Sequence, residues 1–318
     1  MNTAAKLSAY GAVLALAFGG AWAAGTAVGP FATGVAAQGG HSGVGHAGGG
    51  DSHSGTVAGA TQEHLPAGLA STRDGYTLTS TTTTITPGST ENFSFRIIGP
   101  DGNPVTRFDA EHDKRMHLIV VRRDTAGYEH LHPEMSPDGT WNVPMRLPLG
   151  GTYRVFADFV PTGGADQTLG LDVSAPGVFE PVAHAPSRIA EVDGYQVRLD
   201  GQLTAGRSSP LTLSVSKDGR PVTDLQPYLA AYGHLVALRT GDLAYLHVHP
   251  EGAPGDGRTP AGPEITFRAE VPSAGTYRLF LDFQHEGRVR TAEFTVDTGP
   301  ADSRQAQPPS GDGHGSHG

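Results

Sequence analysis

The chain of 318 residues contains no cysteine. That absence excludes disulfide frameworks, thiolate metal sites and cysteine nucleophiles together, so any bound metal must be held by histidine, methionine or carboxylate. Positive charge is also scarce. Lys and Arg number 22 against 32 Asp and Glu, a net charge of -10, and no basic face is available to neutralise a nucleic-acid backbone. Beyond the N-terminal run no segment keeps a 3.6-residue apolar period, and neither a glycine-rich phosphate loop nor a nucleophile elbow occurs.

What the chain does have is 45 Gly, 24 Pro and 15 His, much of the glycine gathered at the ends. The opening "MNTAAKLSAYGAVLALAFGGAWAAGTAVGP" carries one lysine and then no charge until Asp51. Residues 1–31 are therefore expected to be either a signal peptide cleaved near Ala21–Ala23 or a retained hydrophobic helix that anchors the protein in the membrane. The uncharged run approaches the roughly 20 residues that span a bilayer, and its continuation past the cleavage site favours the anchor. Either reading makes this an exported protein with extracytoplasmic domains. Residues 32–70 and 298–318 are too poor in apolar residues to build a core and are expected to be a disordered tether and tail. Their His41, His46, His53, His314 and His317 read either as incidental or as a low-affinity metal-collecting tract.

Between the ends the chain repeats itself. "DGNPVT" (Asp101–Thr106) returns 117 residues later as "DGRPVT" (Asp218–Thr223), and the same offset carries His117 onto His234, His130 onto His247 and His132 onto His249. "GTYRVFADF" (Gly151–Phe159) then matches "GTYRLFLDF" (Gly275–Phe283), displaced further by the insertion "GAPGDGRTPAG" in the second copy. Each copy alternates short β-rich runs with PG, DG, AG and GG turns, which predicts an all-β fold: two tandem Greek-key β-sandwiches of immunoglobulin or cupredoxin type at residues 72–178 and 190–297, joined by a linker at 179–189.

The repeated histidines point to chemistry. "YEHLHPEM" and "AYLHVHPEG" place His130 with His132, and His247 with His249, on one face of a strand, about 7 Å apart along it. His117 and His234 open the preceding strand, and a hairpin of the right parity brings each beside its doublet, where cross-strand imidazoles can share a metal. Between the first two histidines only three of twelve positions agree across the copies (Leu118/Leu235, Arg122/Arg239, Tyr128/Tyr245), yet all three histidines persist. His117, His130, His132, His234, His247 and His249 are accordingly the expected metal ligands, one three-His site per repeat, suited to copper or zinc; the alternative is hydrogen-bonded structural histidines.

Met116 and Met135 are expected as auxiliary donors that would soften the first site toward Cu(I), or else, with Met145, as core filling. Asp158 and Asp282 sit in apolar strands and need partners. They read as auxiliary groups that orient an imidazole or complete the ligand set, or as partners of Arg122/Arg239 or Arg154/Arg278. Glu134 and Glu251 read as solvated loop acids, Tyr128 and Tyr245 as packing residues. His112, His184 and His285 have no counterpart in the other copy and receive no role.

With "HLIVVRRD…YEHLHPE…GTYRVFADF" and "YGHLVALR…YLHVHPE…GTYRLFLDF" laid side by side, residues 72–297 resemble exported bacterial heavy-metal-associated proteins and are similar to YtkA-like and other cupredoxin-like extracytoplasmic domains. The resemblance implies a copper-linked role at the periplasm or cell surface, mapped onto the six histidines above; the missing cysteine removes blue-copper electron transfer. The leading expectation is a non-enzymatic metal-binding protein for storage, delivery or resistance, with a metal ion and a metal-handling protein as partners, the membrane reached through the N-terminal segment, and no nucleic acid. The alternative is a tandem immunoglobulin-like structural or adhesion protein. A zinc hydrolase ranks third, since no general base is evident beside the histidines.

Overall fold

The computed structural model describes residues 65–299. The expected signal or anchor segment (1–31), residues 32–64 of the expected tether and residues 300–318 of the expected tail lie outside the described residues. Among the described residues no helix is long and apolar enough to cross a membrane.

The first repeat holds β1 (Thr72–Arg73), β2 (Tyr76–Ser80), β3 (Thr90–Ile98), β4 (Phe108–Asp109), β5 (His117–Arg122), β6 (Glu129–Leu131), β7 (Glu134–Met135), β8 (Trp141–Arg146), β9 (Gly151–Pro161) and β10 (Gln167–Ala175). They form two sheets, β1-β2-β3-β8-β7 and β10-β9-β5-β6, the latter with β4 added against β9. The chain crosses between these sheets after β3, β6 and β8, as in an immunoglobulin sandwich. The alternating burial of β3 and β8 turns Phe93, Phe95, Ile97, Trp141, Val143 and Met145 inward against Leu118, Val120, Tyr153 and Val155.

The second repeat holds β11 (Ile189–Val192), β12 (Tyr195–Gly201), β13 (Ser208–Lys217), β14 (Arg220–Pro221), β15 (Gly233–Arg239), β16 (Tyr245–Pro250), β17 (Glu264–Glu270), β18 (Thr276–His285) and β19 (Arg288–Asp297). Here the two layers are continuous, in the order β11-β12-β13-β17-β16-β15-β18-β19, because β16 pairs with β15 and then with β17. In the first repeat the same stretch is divided at Pro133 into β6 and β7. A tyrosine at the start of the equivalent strand pins the corner in both copies: Tyr153 Oη donates to Leu149 O (2.9 Å) and Tyr277 Oη to Ser273 O (2.9 Å).

The strand that carries the first histidine is enclosed on both faces: all six residues of β5 are buried. The reason is the other repeat. Leu118 and Val120 point into the first sandwich, while Ile119 and Val121 join Phe156, Val236, Leu238, Leu243, Tyr245 and Phe280 in an apolar cluster shared by both repeats. The contact is nearly two-fold symmetric. Tyr128 of the first repeat stacks on Phe280 of the second (centroids 4.0 Å apart, planes at 5°), and Tyr245 of the second lies on Phe156 of the first (5.3 Å).

The tether expected over 32–70 ends earlier than composition indicates. Ala67 packs on the shared cluster, its carbonyl accepts the Tyr245 amide (3.0 Å), and the Gly68 amide donates to Thr168 O (3.0 Å). A Cβ at Gly68 would fall 2.4 Å from the Phe156 ring, so only glycine admits this approach. The linker is also tied down: Phe179 covers the Arg122 guanidinium, which donates to Glu180 O (3.1 Å), and the Val182 amide donates to Asp124 (2.8 Å).

Because Phe280 belongs to a core that both repeats share, Phe280→Ala, made in the second repeat, is expected to destabilise the first. In a Trp22→Phe background, Trp141 fluorescence during urea unfolding should report a loss of about 3–5 kcal/mol. Val289→Ala at an exposed position should stay within about 0.5 kcal/mol.

Candidate metal centre

The hairpin parity left open by the sequence is settled by register. Ile119 pairs with His130 and Leu118 with Leu131, which carries His117 opposite His132. All three imidazoles therefore stand on the face turned toward the second repeat. Their ring centroids are separated by 5.3 Å (His117–His130), 5.2 Å (His117–His132) and 4.7 Å (His130–His132). One ligating nitrogen from each lies within 4.8 Å of the others. Two imidazoles on one tetrahedral metal, with metal–nitrogen bonds of about 2.0–2.1 Å, put their centroids about 5 Å apart, which is the spacing observed.

The outward-facing nitrogens of this group are already committed. His117 Nε2 is 3.0 Å from Glu111 O, an acceptor that requires the proton on Nε2. His130 Nδ1 is 2.8 Å from Asp282 Oδ2, a carboxylate that requires it on Nδ1. In neutral imidazoles these tautomers leave lone pairs on His117 Nδ1 and His130 Nε2, which face one another at 3.0 Å. Two lone pairs at that distance repel unless a proton or a cation lies between them. His132 Nε2 is buried with no hydrogen-bond partner. A metal ion would satisfy all three nitrogens at once.

The second repeat is arranged likewise. Leu235 pairs with Val248 and Val236 with His247, so His234 comes opposite His249. His234 Nε2 lies 2.9 Å from Tyr228 O and 3.0 Å from Leu229 O. The His247 side chain is outside the described residues, so a second triad of the expected composition is not assembled here from all three of its members.

The two acids serve the opposite repeat. Asp282 lies beside His234 in register, yet its carboxylate accepts from His130 of the first repeat and from Thr291 Oγ1 (2.6 Å). Asp158, paired with His117, accepts from Tyr245 Oη of the second repeat (3.0 Å) and from Thr168 Oγ1 (3.0 Å). Of the expected arrangements, a hydrogen bond to an imidazole is present at Asp282. The arginine pairing is not formed, because each guanidinium has a nearer acid on its own surface: Arg122 with Asp124, Arg239 with Asp242, Arg154 with Asp172 and Arg278 with Glu293.

The methionines are corrected as well. Met116 and Met145 are buried in the first sandwich and Met135 packs against that core. Met116 neighbours His117 in sequence, so strand alternation turns it to the other face. The site is therefore built of imidazole nitrogen without thioether sulfur. Sequence reasoning overlooked His112, whose ring lies 6.2 Å from His117 and 5.0 Å from His234. The lack of a partner at Leu229 argued against it; only the facing of the repeats could have argued for it.

Burial disfavours the protonated form of two of these imidazoles. It pushes His132 down to about 2, helped by repulsion from His130 and His117, and it pushes His234 down to about 4. In the unfolded chain a histidine binds its proton near 6.5. Below that pH the unfolded state therefore takes up protons that the folded state refuses, and stability falls as pH falls. The thermal midpoint of chelator-treated protein is expected to be level from pH 8 to 7 and to drop progressively from about 6.5 toward 4.5, with a shallower slope in His132→Asn/His234→Asn.

No curated protein matches the chain. Among solved structures it is similar to the Escherichia coli adhesin FdeC, at 13% identity over 75% of this chain and 66% of that one with a TM-score of 0.24. It is similar to invasin, a bacterial integrin-binding protein, at 11% identity over 70% and 39% with a TM-score of 0.20, and to the D00-D0 domain of intimin at 10% identity over 71% and 100% with a TM-score of 0.20. The chain thus spans just under two thirds of the first of these and about two fifths of the second. A family model matches twice, at residues 70–177 and 190–299, once over each repeat, and the chain belongs to that family, the domain of unknown function DUF8832.

Proposed function

We propose that this protein is an extracytoplasmic metal-binding protein, not an enzyme, and that His117, His130 and His132 hold a divalent copper or zinc ion for storage, delivery or resistance. The observation that carries the reading is the 3.0 Å approach of His117 Nδ1 to His130 Nε2, with both opposite nitrogens bonded to acceptors and His132 Nε2 buried beside them. Three imidazoles with an open fourth position suit Cu(II) and Zn(II), and copper is favoured on such a site by the Irving–Williams order. Without a thioether nearby, the donor set gives no preference for Cu(I). The resemblance to heavy-metal-associated extracytoplasmic proteins agrees with this function.

A second reading is a tandem immunoglobulin-like structural or adhesion module in which the histidines join the repeats. The hydrogen bonds from His130 to Asp282 and from His234 to Tyr228 O favour it, since each satisfies a buried imidazole without any ion.

Titration of the chelated full chain separates the two. Metal binding predicts at least one tightly held equivalent lost in His132→Ala, and a thermal midpoint raised by Cu(II) or Zn(II), equivalent to about 2.7 kcal/mol at a hundredfold excess over Kd. Asp282→Asn, made in the other repeat, should weaken that equivalent about 10–100-fold, as loss of an imidazole-orienting carboxylate does. The structural reading predicts that both substitutions lower the midpoint while added metal moves neither chain.

A further inference from the structure

We propose that the Asp282 carboxylate alternates between two donors of the first repeat, His130 Nδ1 when the histidine triad holds an ion and Tyr128 Oη when it does not, so that Tyr128 regulates how tightly the site binds. The inference rests on the metal-binding reading above and adds to it the residue that competes with His130.

The repeats meet through the same trio of tyrosine, phenylalanine and aspartate in each direction. Tyr245 lies on Phe156 (5.3 Å between centroids), and its hydroxyl donates to Asp158, two residues farther along the same face of β9 (3.0 Å). Tyr128 stacks on Phe280 (4.0 Å, planes at 5°), and Asp282 stands two residues farther along the same face of β18. The matching bond is nevertheless not made. The Tyr128 hydroxyl is buried without a partner, while Asp282 accepts from His130 Nδ1 (2.8 Å) and Thr291 Oγ1 (2.6 Å). Leaving a buried hydroxyl unpaired is unfavourable, and this one has the acceptor of its counterpart close by. Burial, together with the nearby Asp282 charge, holds the Tyr128 phenol well above its ordinary range, so it stays a donor.

His130 faces the complementary choice. With its proton on Nδ1 toward Asp282, His130 Nε2 and His117 Nδ1 turn lone pairs on each other at 3.0 Å, the arrangement that an ion satisfies. With the proton on Nε2 instead, the same two nitrogens form a hydrogen bond, but Nδ1 then turns a lone pair on Asp282, which must take another donor. Tyr128 is placed to be that donor. The change moves one proton between two nitrogens of one ring and exchanges one hydrogen bond of Asp282 for another; no proton is gained or lost. An ion therefore breaks the Tyr128 bond as it binds, and the affinity is lower by the worth of that bond.

The test combines nitrogen-15 magnetic resonance of the histidine rings with Zn(II) titration of the chelated full chain, the affinity being that of the equivalent lost in His132→Ala. In the chelated parent the His130 proton is expected on Nε2, and in the Zn(II)-loaded parent on Nδ1. Tyr128→Phe should keep it on Nδ1 without metal, bind Zn(II) about 3- to 10-fold more tightly, as the loss of one buried hydrogen bond from the metal-free state alone requires, and lower the chelated thermal midpoint but not the loaded one. Tyr245→Phe, which removes a bond present in both states, should lower both midpoints and leave the affinity within about twofold. A His130 proton on Nδ1 in the chelated parent, or an affinity unchanged or weakened in Tyr128→Phe, overturns the inference and leaves the metal site standing. A parent that takes up no ion lost in His132→Ala overturns the metal-binding reading and this inference with it.

Discussion

The two repeats bury the same sheet face against each other, and most of what is unusual in this protein follows from that contact. An immunoglobulin-type sandwich ordinarily turns one face of each sheet to solvent. Here β5 and β9 face β15 and β18, with Ile119, Val121, Phe156, Val236, Leu238 and Phe280 forming a third core between the two sandwich cores. Each fully buried side chain of this kind contributes about 1.5–3 kcal/mol of apolar transfer. That gain sets the terms for the polar residues enclosed with them.

Those residues are histidines, aspartates and tyrosines, which cannot be enclosed unpartnered. Their partners are exchanged between the repeats: His130 with Asp282, Tyr245 with Asp158. Within one isolated repeat, Asp158 and Asp282 would keep only the threonine of the adjoining strand among these bonds. The exchange gives the two carboxylates of otherwise apolar strands their partners, and each repeat supplies the acid that a buried polar group of the other needs.

The symmetry is incomplete, and the departures lie around the histidines. His132 and Pro133 lie between β6 and β7 in the first copy, whereas in the second β16 runs through the equivalent His249 and Pro250 and bridges its two sheets. The Tyr245 hydroxyl is satisfied, but the equivalent Tyr128 hydroxyl is buried without a partner. Two repeats alike in sequence thus meet with their histidine strands in unequal surroundings.

Much of the fold was legible in the chain. Turn dipeptides and short β-rich runs identified two all-β repeats in tandem, and internal comparison isolated the histidines that converge in the first repeat. Less was legible of the site. Strand alternation could say that His117, His130 and His132 share a face, given the hairpin parity, but not what that face meets; a polar strand face reads alike whether water or another domain covers it. Met116 looked like a donor because it is adjacent in sequence, although alternation sends it to the core. His112 looked idle because it lacks a counterpart, although its ring lies closer to His234 and His249 of the other repeat than to His117 of its own. The sequence by itself determined the strands, the duplication and the kinds of side chain available, because these rest on local periodicity and composition. Only the tertiary structure decided which acid orients which imidazole and that the two histidine faces adjoin, because those relations depend on residues more than a hundred positions apart meeting across a shared apolar contact.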